Sequence, residues 1–263
     1  MRGRGAAIDI KGLSRAYGSG AERVVALDDI DLAVQPGEFV CIVGPSGCGK
    51  STLLRILAGL DTQTGGTITV AAEGFAVENA MVFQESGLFP WMSVEKNVGF
   101  GLMTRGVSAA EIDRRVDGAL KLVGLTKFRR HYPHQLSGGM RQRAAIARAF
   151  VTDPAMLLMD EPFAALDAQN RAILQAELTR IWEETGKTVV YVTHSIEEAL
   201  LLGDRCVLMT AQPGRIKRVI DIPFAHPRDV IALGASPEFG ALKLDIWRVL
   251  EEEVNRARRE MEQ

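Results

Sequence analysis

At 263 residues, 47% hydrophobic and 24% charged, the chain has the length and composition of a soluble globular protein, as one large domain or one domain carrying a sizeable insertion. A formal net charge of -2 provides no global basic field for nucleic acid or anionic lipid, and no stretch reaches the ~18 apolar residues that a bilayer span requires. Cys41, Cys48 and Cys206 are an odd set with no C-x-x-C pair, and MRGRGAAIDIKG lacks the apolar run of a secretory leader. A disulfide framework, a zinc site and secretion are therefore disfavoured, and a reduced cytosolic compartment is expected.

Strand-like runs open the chain: Ile8 and Ile10, then Val24, Val25 and Leu27, then Ile30 and Leu32. Gly18-Ser19-Gly20 breaks the first two and Gln35-Pro36-Gly37 closes the last. Phe39–Val43 is continuously apolar, the pattern of a strand buried on both faces of a parallel sheet. Gly44-Pro45-Ser46-Gly47-Cys48-Gly49-Lys50-Ser51 then fills G-x-x-x-x-G-K-[ST] at every fixed position. After it, Leu53, Leu54, Ile56, Leu57 and Leu60 recur at helical spacing, with Gly59 placed to cap the helix. Residues 67–70 and 81–83 read as two more strands.

Between residues 84 and 136 the pattern turns helical. Ser108-Ala109-Ala110-Glu111 is a capping-box sequence, Ile112, Val116, Leu120 and Val123 mark one face, and Gly124 ends it. A helical subdomain inserted over about residues 85–153 is expected. Core strands resume at 156–159, running into Asp160-Glu161, and at 188–192, running into Thr193-His194. A helix from about Asp167 to Glu184 lies between them, closed by Gly186, and Ser195-Ile196-Glu197-Glu198 is a second capping-box sequence, opening a helix that stops at Gly203. Residues 206–209 and 216–222 flank Gln212-Pro213-Gly214 as a hairpin at a sheet edge. Residues 223–263 form a tail punctuated by Pro223, Pro227 and Pro237, ending in an amphipathic helix with Leu242, Ile246, Val249, Leu250 and Val254 on its apolar side. The fold class is α/β: a P-loop core with a mainly parallel sheet, an N-terminal antiparallel β subdomain and the inserted helices, all within residues 1–222.

Strand, glycine loop and helix follow in the order a phosphate cradle needs. The glycines turn the backbone tightly and aim successive N–H groups inward, so Gly44, Ser46, Gly47, Cys48, Gly49, Lys50, Ser51 and Thr52 together bind a nucleotide triphosphate. Lys50 supplies a cation to the outer phosphates and the Ser51 hydroxyl a ligand to Mg²⁺. Cys48, at a helix N-terminus beside Lys50, is expected to have a lowered pKa and to react with alkylators unless ATP shields it.

The stretch Leu136-Ser137-Gly138-Gly139-Met140-Arg141-Gln142-Arg143 resembles the signature motif of ATP-binding-cassette (ABC) ATPases. Ser137 can cap a helix whose first N–H groups Gly138 and Gly139 leave uncovered, which makes a second anion site without a lysine. A plain N-cap is the simpler reading of the same residues. The resemblance extends over nearly the whole chain, from Ala7 to about Ile222, and implies a RecA-like P-loop NTPase core. It also implies roles: Asp160 holding Mg²⁺ through water, Glu161 polarising the attacking water, and His194 touching the γ-phosphate. Gln84 would reach Mg²⁺ and the water, and Tyr17 would stack on adenine. In Ala164-Ala165-Leu166-Asp167, Asp167 would cross a dimer interface or simply cap the following helix. The implied assembly is an isologous homodimer, each ATP lying between one cradle and the other subunit's Ser137 helix.

Within that family, Met81-Val82-Phe83-Gln84-Glu85, Leu88-Phe89-Pro90-Trp91, residues 192–199 and residues 210–215 look like importer cassettes for nitrate, sulfonate or taurine. Those sit on the cytoplasmic face of the membrane under a permease fed by a separate solute-binding protein. Phe89 and Trp91 would then line a groove for the permease, or else pack within the helical subdomain. Two other classes compete, a non-transport ABC ATPase acting on nucleic acid or ribosomes and a small-molecule P-loop kinase. The short insertion, the single cassette and the slightly acidic charge speak against the first. The second leaves residues 136–140 and His194 without a purpose.

Overall fold

In a computed structural model, which describes residues 5–72 and 78–261, the three opening strand-like runs become two long strands. The first four residues, at the start of the stretch read as carrying no leader, lie outside the described residues. β1 (Ala7–Tyr17) and β2 (Val24–Val34) pair antiparallel from Ile8↔Val34 to Tyr17↔Val24. The second and third runs merge because Asp29 takes φ +54° and the register shifts between Leu13 and Arg15. One irregular residue thus lets Leu27, Ile30, Leu32 and Val34 all be buried along one strand.

β3 (Phe39–Val43) starts a second sheet and leads through the glycine loop into α1 (Lys50–Leu57). The helix stops a turn earlier than the apolar spacing implies. Gly59 takes φ +73°, and Leu60, assigned above to the apolar face, lies beyond the end and is 60% exposed. β4 (Gly65–Ala71) returns to β1 and completes a three-stranded antiparallel sheet, β2-β1-β4. The chain continues through β5 (Asn79–Val82) to α2 (Val94–Thr104), α3 (Ala109–Leu122) and α4 (Gly138–Phe150), three helices that pack on one another. β6 (Met156–Asp160), α5 (Ala168–Thr185), β7 (Thr188–Thr193), α6 (Ile196–Leu202), β8 (Arg205–Met209) and β9 (Ile216–Asp221) follow. α7 (Val230–Gly234) and α8 (Pro237–Met261) end the described chain.

The six-stranded sheet has the order β5-β6-β7-β3-β8-β9, with only β9 running antiparallel. Every residue of β3, β6 and β7 is buried. The two-residue period of the strand explains why: Val40 and Ile42 face a core shared with α1 and the antiparallel sheet, while Phe39, Cys41 and Val43 face the helices on the other side. Phe239 and Ile246 of the tail join that second core, and α8 packs on α6. Among the described residues no helix is long and apolar enough to cross a membrane.

Register places the chemistry. Val43 lies opposite Thr193 and Asp160 opposite Val192, so the glycine loop, Glu161 and His194 leave the sheet side by side at its C-terminal edge. That edge is where open α/β sheets bind ligands.

Candidate functional site

The glycine loop is built for close approach. Gly49 sits at the N-cap of α1 with φ +96°, and a Cβ there would fall 2.7 Å from the Ala26 carbonyl oxygen. Lys50 is buried, its Nζ donating to the carbonyls of Gly44 and Pro45, both at 2.8 Å. The cation is thus held inside the loop, while Ser46 and Gly47 are exposed at its rim. Gly44 is buried, and Ser51 and Thr52, half-buried, continue the loop into the first turn of α1.

Cys48 overturns its expected reactivity. Its side chain is 1% exposed, and burial pushes the thiol pKa up against the opposing pull of Lys50. Desolvation of a thiolate outweighs a helix N-terminus once the sulfur is packed away from water. Cys41 and Cys206 are buried and raised by the same cause, Cys206 to about 12. Iodoacetamide at neutral pH should therefore label none of the three cysteines in the folded protein and all three after denaturation. Intact mass spectrometry reads the difference, and rapid modification of native Cys48 would refute it.

The Ser51 side chain lies near the Asp160 carboxylate at the end of β6. Burial raises the Asp160 pKa, with Ser51 pulling the other way. Hydroxyl, carboxylate and the nearby Gln84 amide are hard oxygen donors, a set that fits Mg²⁺ shared with phosphate. The sign of the stability effect follows from the raised pKa. Asp160's protonated form favours folding below its ordinary pKa, and that contribution is lost as pH rises through the raised value. At neutral pH the buried charge is a cost, so Asp160→Asn should hold or raise the melting temperature. Thermal unfolding at neutral pH reads the change, and a lower melting temperature in the variant would show that the ionised carboxylate is no cost.

Glu161 takes φ +45°, a conformation uncommon for a residue with a side chain, and its N–H donates to the Val192 carbonyl at 2.9 Å. Its Oε2 lies 3.0 Å from His194 Nδ1 and accepts from Gln84 Nε2 at 3.5 Å. One carboxylate oxygen is thereby shared by two residues that lie 77 and 33 positions away. His194 is exposed where β7 ends. A cavity of about 700 Å³ opens beside it, walled by Pro45, Ser46, Ser195 and, from α8, Lys243 and Trp247.

Glu198 is a residue that the pattern misplaced. Ser195 does accept from the Glu198 N–H, as a capping sequence implies. The Glu198 side chain, however, turns inward and accepts from Tyr191 Oη (2.9 Å), Thr193 Oγ1 (2.6 Å) and Gln175 Nε2 (3.1 Å). Alternation along β7 puts Tyr191 and Thr193 on one face, which is the only signal in the chain that hints at this brace under His194.

Ser137 caps α4 by accepting from the Met140 N–H at 3.3 Å, and Ser137 and Gly138 are exposed. Gly139 lies against Ala165 and Leu166, so this helix start adjoins the loop that ends in Asp167. Asp167 is the N-cap of α5, accepting from Asn170 N (2.9 Å) and Nδ2 (2.6 Å), bonds that hold its pKa down. Tyr17 ends β1 with its ring exposed, its hydroxyl donating to Asp61 Oδ2 at 2.7 Å and the Arg15 guanidinium 4.4 Å from the ring centre. Phe89 packs on both Phe100 and Trp91, at 4.8 and 5.6 Å between ring centres, while Trp91 itself remains 70% exposed on a loop pinned by the buried Asn97 amide.

Comparison with known proteins gives the family to which the chain is similar. A family profile described as ABC transporter matches residues 27–164. The chain is 46% identical over 250 residues to the uncharacterized ABC transporter ATP-binding protein MJ0412 of Methanocaldococcus jannaschii, covering 94% of this chain and 92% of the relative. It is 43% identical over 242 residues to the taurine import ATP-binding protein TauB of Roseobacter denitrificans (89% and 90% covered). The aliphatic sulfonates import ATP-binding protein SsuB of Bacillus licheniformis is 41% identical over 249 residues (93% and 94% covered). Among solved structures, the dimeric ATP-binding cassette MJ0796 bound to ADP and Pi superposes with a TM-score of 0.75 at 34% identity, over 83% of this chain and 100% of that one.

Proposed function

The chain belongs to the ABC transporter family as an ATP-binding subunit and ATPase, and on that premise we propose that it drives uptake of a small anionic solute of the taurine, sulfonate or nitrate type. It works as a head-to-tail homodimer on the cytoplasmic side of the membrane, under permease subunits supplied by a solute-binding protein. The observation that carries the reading is Glu161: one carboxylate oxygen, held between Gln84 and His194, at the sheet edge where the glycine loop opens.

Glu161 takes the proton of the attacking water, with Gln84 and His194 fixing where that water and the γ-phosphate meet. Lys50 and the loop N–H groups of residues 46–52 stabilise charge on the outer phosphates. Ser51, Asp160 and Gln84 would hold Mg²⁺, which would supply positive charge to offset that of the phosphates. Tyr17 stacks on adenine. The exposed N-terminus of α4, with Ser137, Gly138 and Gly139, grips the γ-phosphate of the ATP seated on the second copy, and Asp167 crosses between copies. A shared phosphate closes the dimer, and hydrolysis removes it.

The assembled complex tests this reading. The chain, purified with its permease, should show ATPase stimulated by a loaded solute-binding protein for taurine, another sulfonate or nitrate. A chain that joins no membrane protein, or a complex deaf to all three, would overturn it. Trp91→Ala should leave soluble ATPase unchanged while transport in vesicles falls about tenfold or more, the loss of a hot-spot aromatic at an interface. Unchanged transport would detach Trp91 from the permease.

A further inference from the structure

The segment that carries Gln84 is bracketed by two side chains of α4, neither of which has a role above. Gln142, 2% exposed, donates from Nε2 to the Phe83 carbonyl at 3.1 Å, immediately before Gln84. Arg148 donates from Nη1 to the Gly87 carbonyl (2.9 Å) and from Nη2 to the Ser86 carbonyl (3.4 Å), just after it. The guanidinium also lies 5.7 Å from the centre of the Phe89 ring. Burial lowers the Arg148 pKa, so a cation that gives up hydration is used on two backbone carbonyls. These long-range bonds clamp residues 83–87 to one rigid helix at points about 9 Å apart along its axis.

We propose that Gln142 and Arg148 are positioning residues for Gln84, tying its segment to the same helix whose N-terminus is Ser137. The inference rests on the reading of Gln84 and Glu161 given above. Gln84 reaches Glu161 at only 3.5 Å, a weak contact whose length is set by where α4 holds the segment. Because α4 starts at Ser137, any displacement of that helix as Ser137 engages nucleotide on the second copy moves Gln84 relative to its own Glu161. The tie therefore links the state of one nucleotide site to the catalytic geometry of the other.

A double-mutant cycle on the full-length chain is the test. Gln142→Met keeps the volume and removes the donor, while Arg148→Lys keeps the charge and loses the fork across two carbonyls. Each should lower kcat about tenfold, as a sub-ångström misplacement of a reacting group does, and leave ATP affinity within about twofold. In a Gln84→Ala background neither should lower kcat further, because both act through that side chain. Multiplicative losses in the double variants, or single variants with the kcat of the parent, would overturn the proposal while leaving the site reading intact. Gln84→Ala at the parent rate would instead sink the reading of Gln84 and this inference with it. If Gln142→Met fails to fold, Arg148→Lys alone decides, since it retains the charge at that half-buried position.

Discussion

Replacing Glu161 by Gln is expected to preserve ATP binding and slow hydrolysis by about 10²–10⁴-fold, the range that a positioned general base contributes. The amide has the carboxylate's shape, so it can stay beside His194 and Gln84, but it cannot take a proton from water. The unusual backbone of Glu161, φ +45° and tied to the Val192 carbonyl, sets the side chain at the sheet edge and does not depend on its charge. With hydrolysis blocked, ATP should accumulate between two copies and hold them closed. Phosphate release gives the rate, and light scattering of the ATP-loaded variant gives the mass. Turnover near that of the parent would remove Glu161 as the base, and a monomer at high concentration would remove the shared phosphate.

A second large effect is expected at a glycine far from the loop in sequence. Gly214 lies in the turn between β8 and β9, and a Cβ there would sit 2.0 Å from the Cys48 carbonyl oxygen. Its N–H donates to Ala26 O and its carbonyl accepts from Asp28 N–H, both at 3.0 Å, so the turn is stitched to β2 while it presses on the glycine loop. The atom in the way is backbone and cannot swing aside. Gly214→Ala should cost about 1–3 kcal/mol, as overpacking of a close-packed site does. For a chain of this size that is a fall in melting temperature of about 2–4 °C per kcal/mol. The loop must shift to admit the methyl group, so ATP affinity should fall as well. Thermal unfolding and nucleotide titration measure the two effects, and a variant unchanged in both would show that the turn does not shape the cradle.

Much of the site could be read from local pattern. The glycine loop carries its spacing within eight residues, and the caps Ser108, Ser137, Asp167 and Ser195 lie where side chain and helix start are neighbours in the chain. Continuous apolarity gave away the doubly buried strands β3, β6 and β7, since only a central parallel strand needs apolar residues on both faces. Acids and His194 at strand ends then fell beside the cradle because adjacent parallel strands end together.

What could not be read depended on neighbours brought from afar. Cys48 looks reactive in its sequence window, yet its ionisation is set by burial among groups from other elements, including Met209 beside Gly44. Glu198 has the spacing of a capping acid, but a phenol and a hydroxyl on β7 draw its carboxylate inward. Gln142 and Arg148 carry no local signal and Gly214 signals only a turn, because their partners are Phe83, Ser86, Gly87, Ala26, Asp28 and the Cys48 carbonyl. Residue order alone thus specifies which chemical groups are present and which helices and strands deliver them, since those follow from contacts a few residues long. Charge state, close approach and the tie between α4 and Gln84 are settled only when distant segments pack, because desolvation and hydrogen-bond geometry belong to a site's surroundings in space.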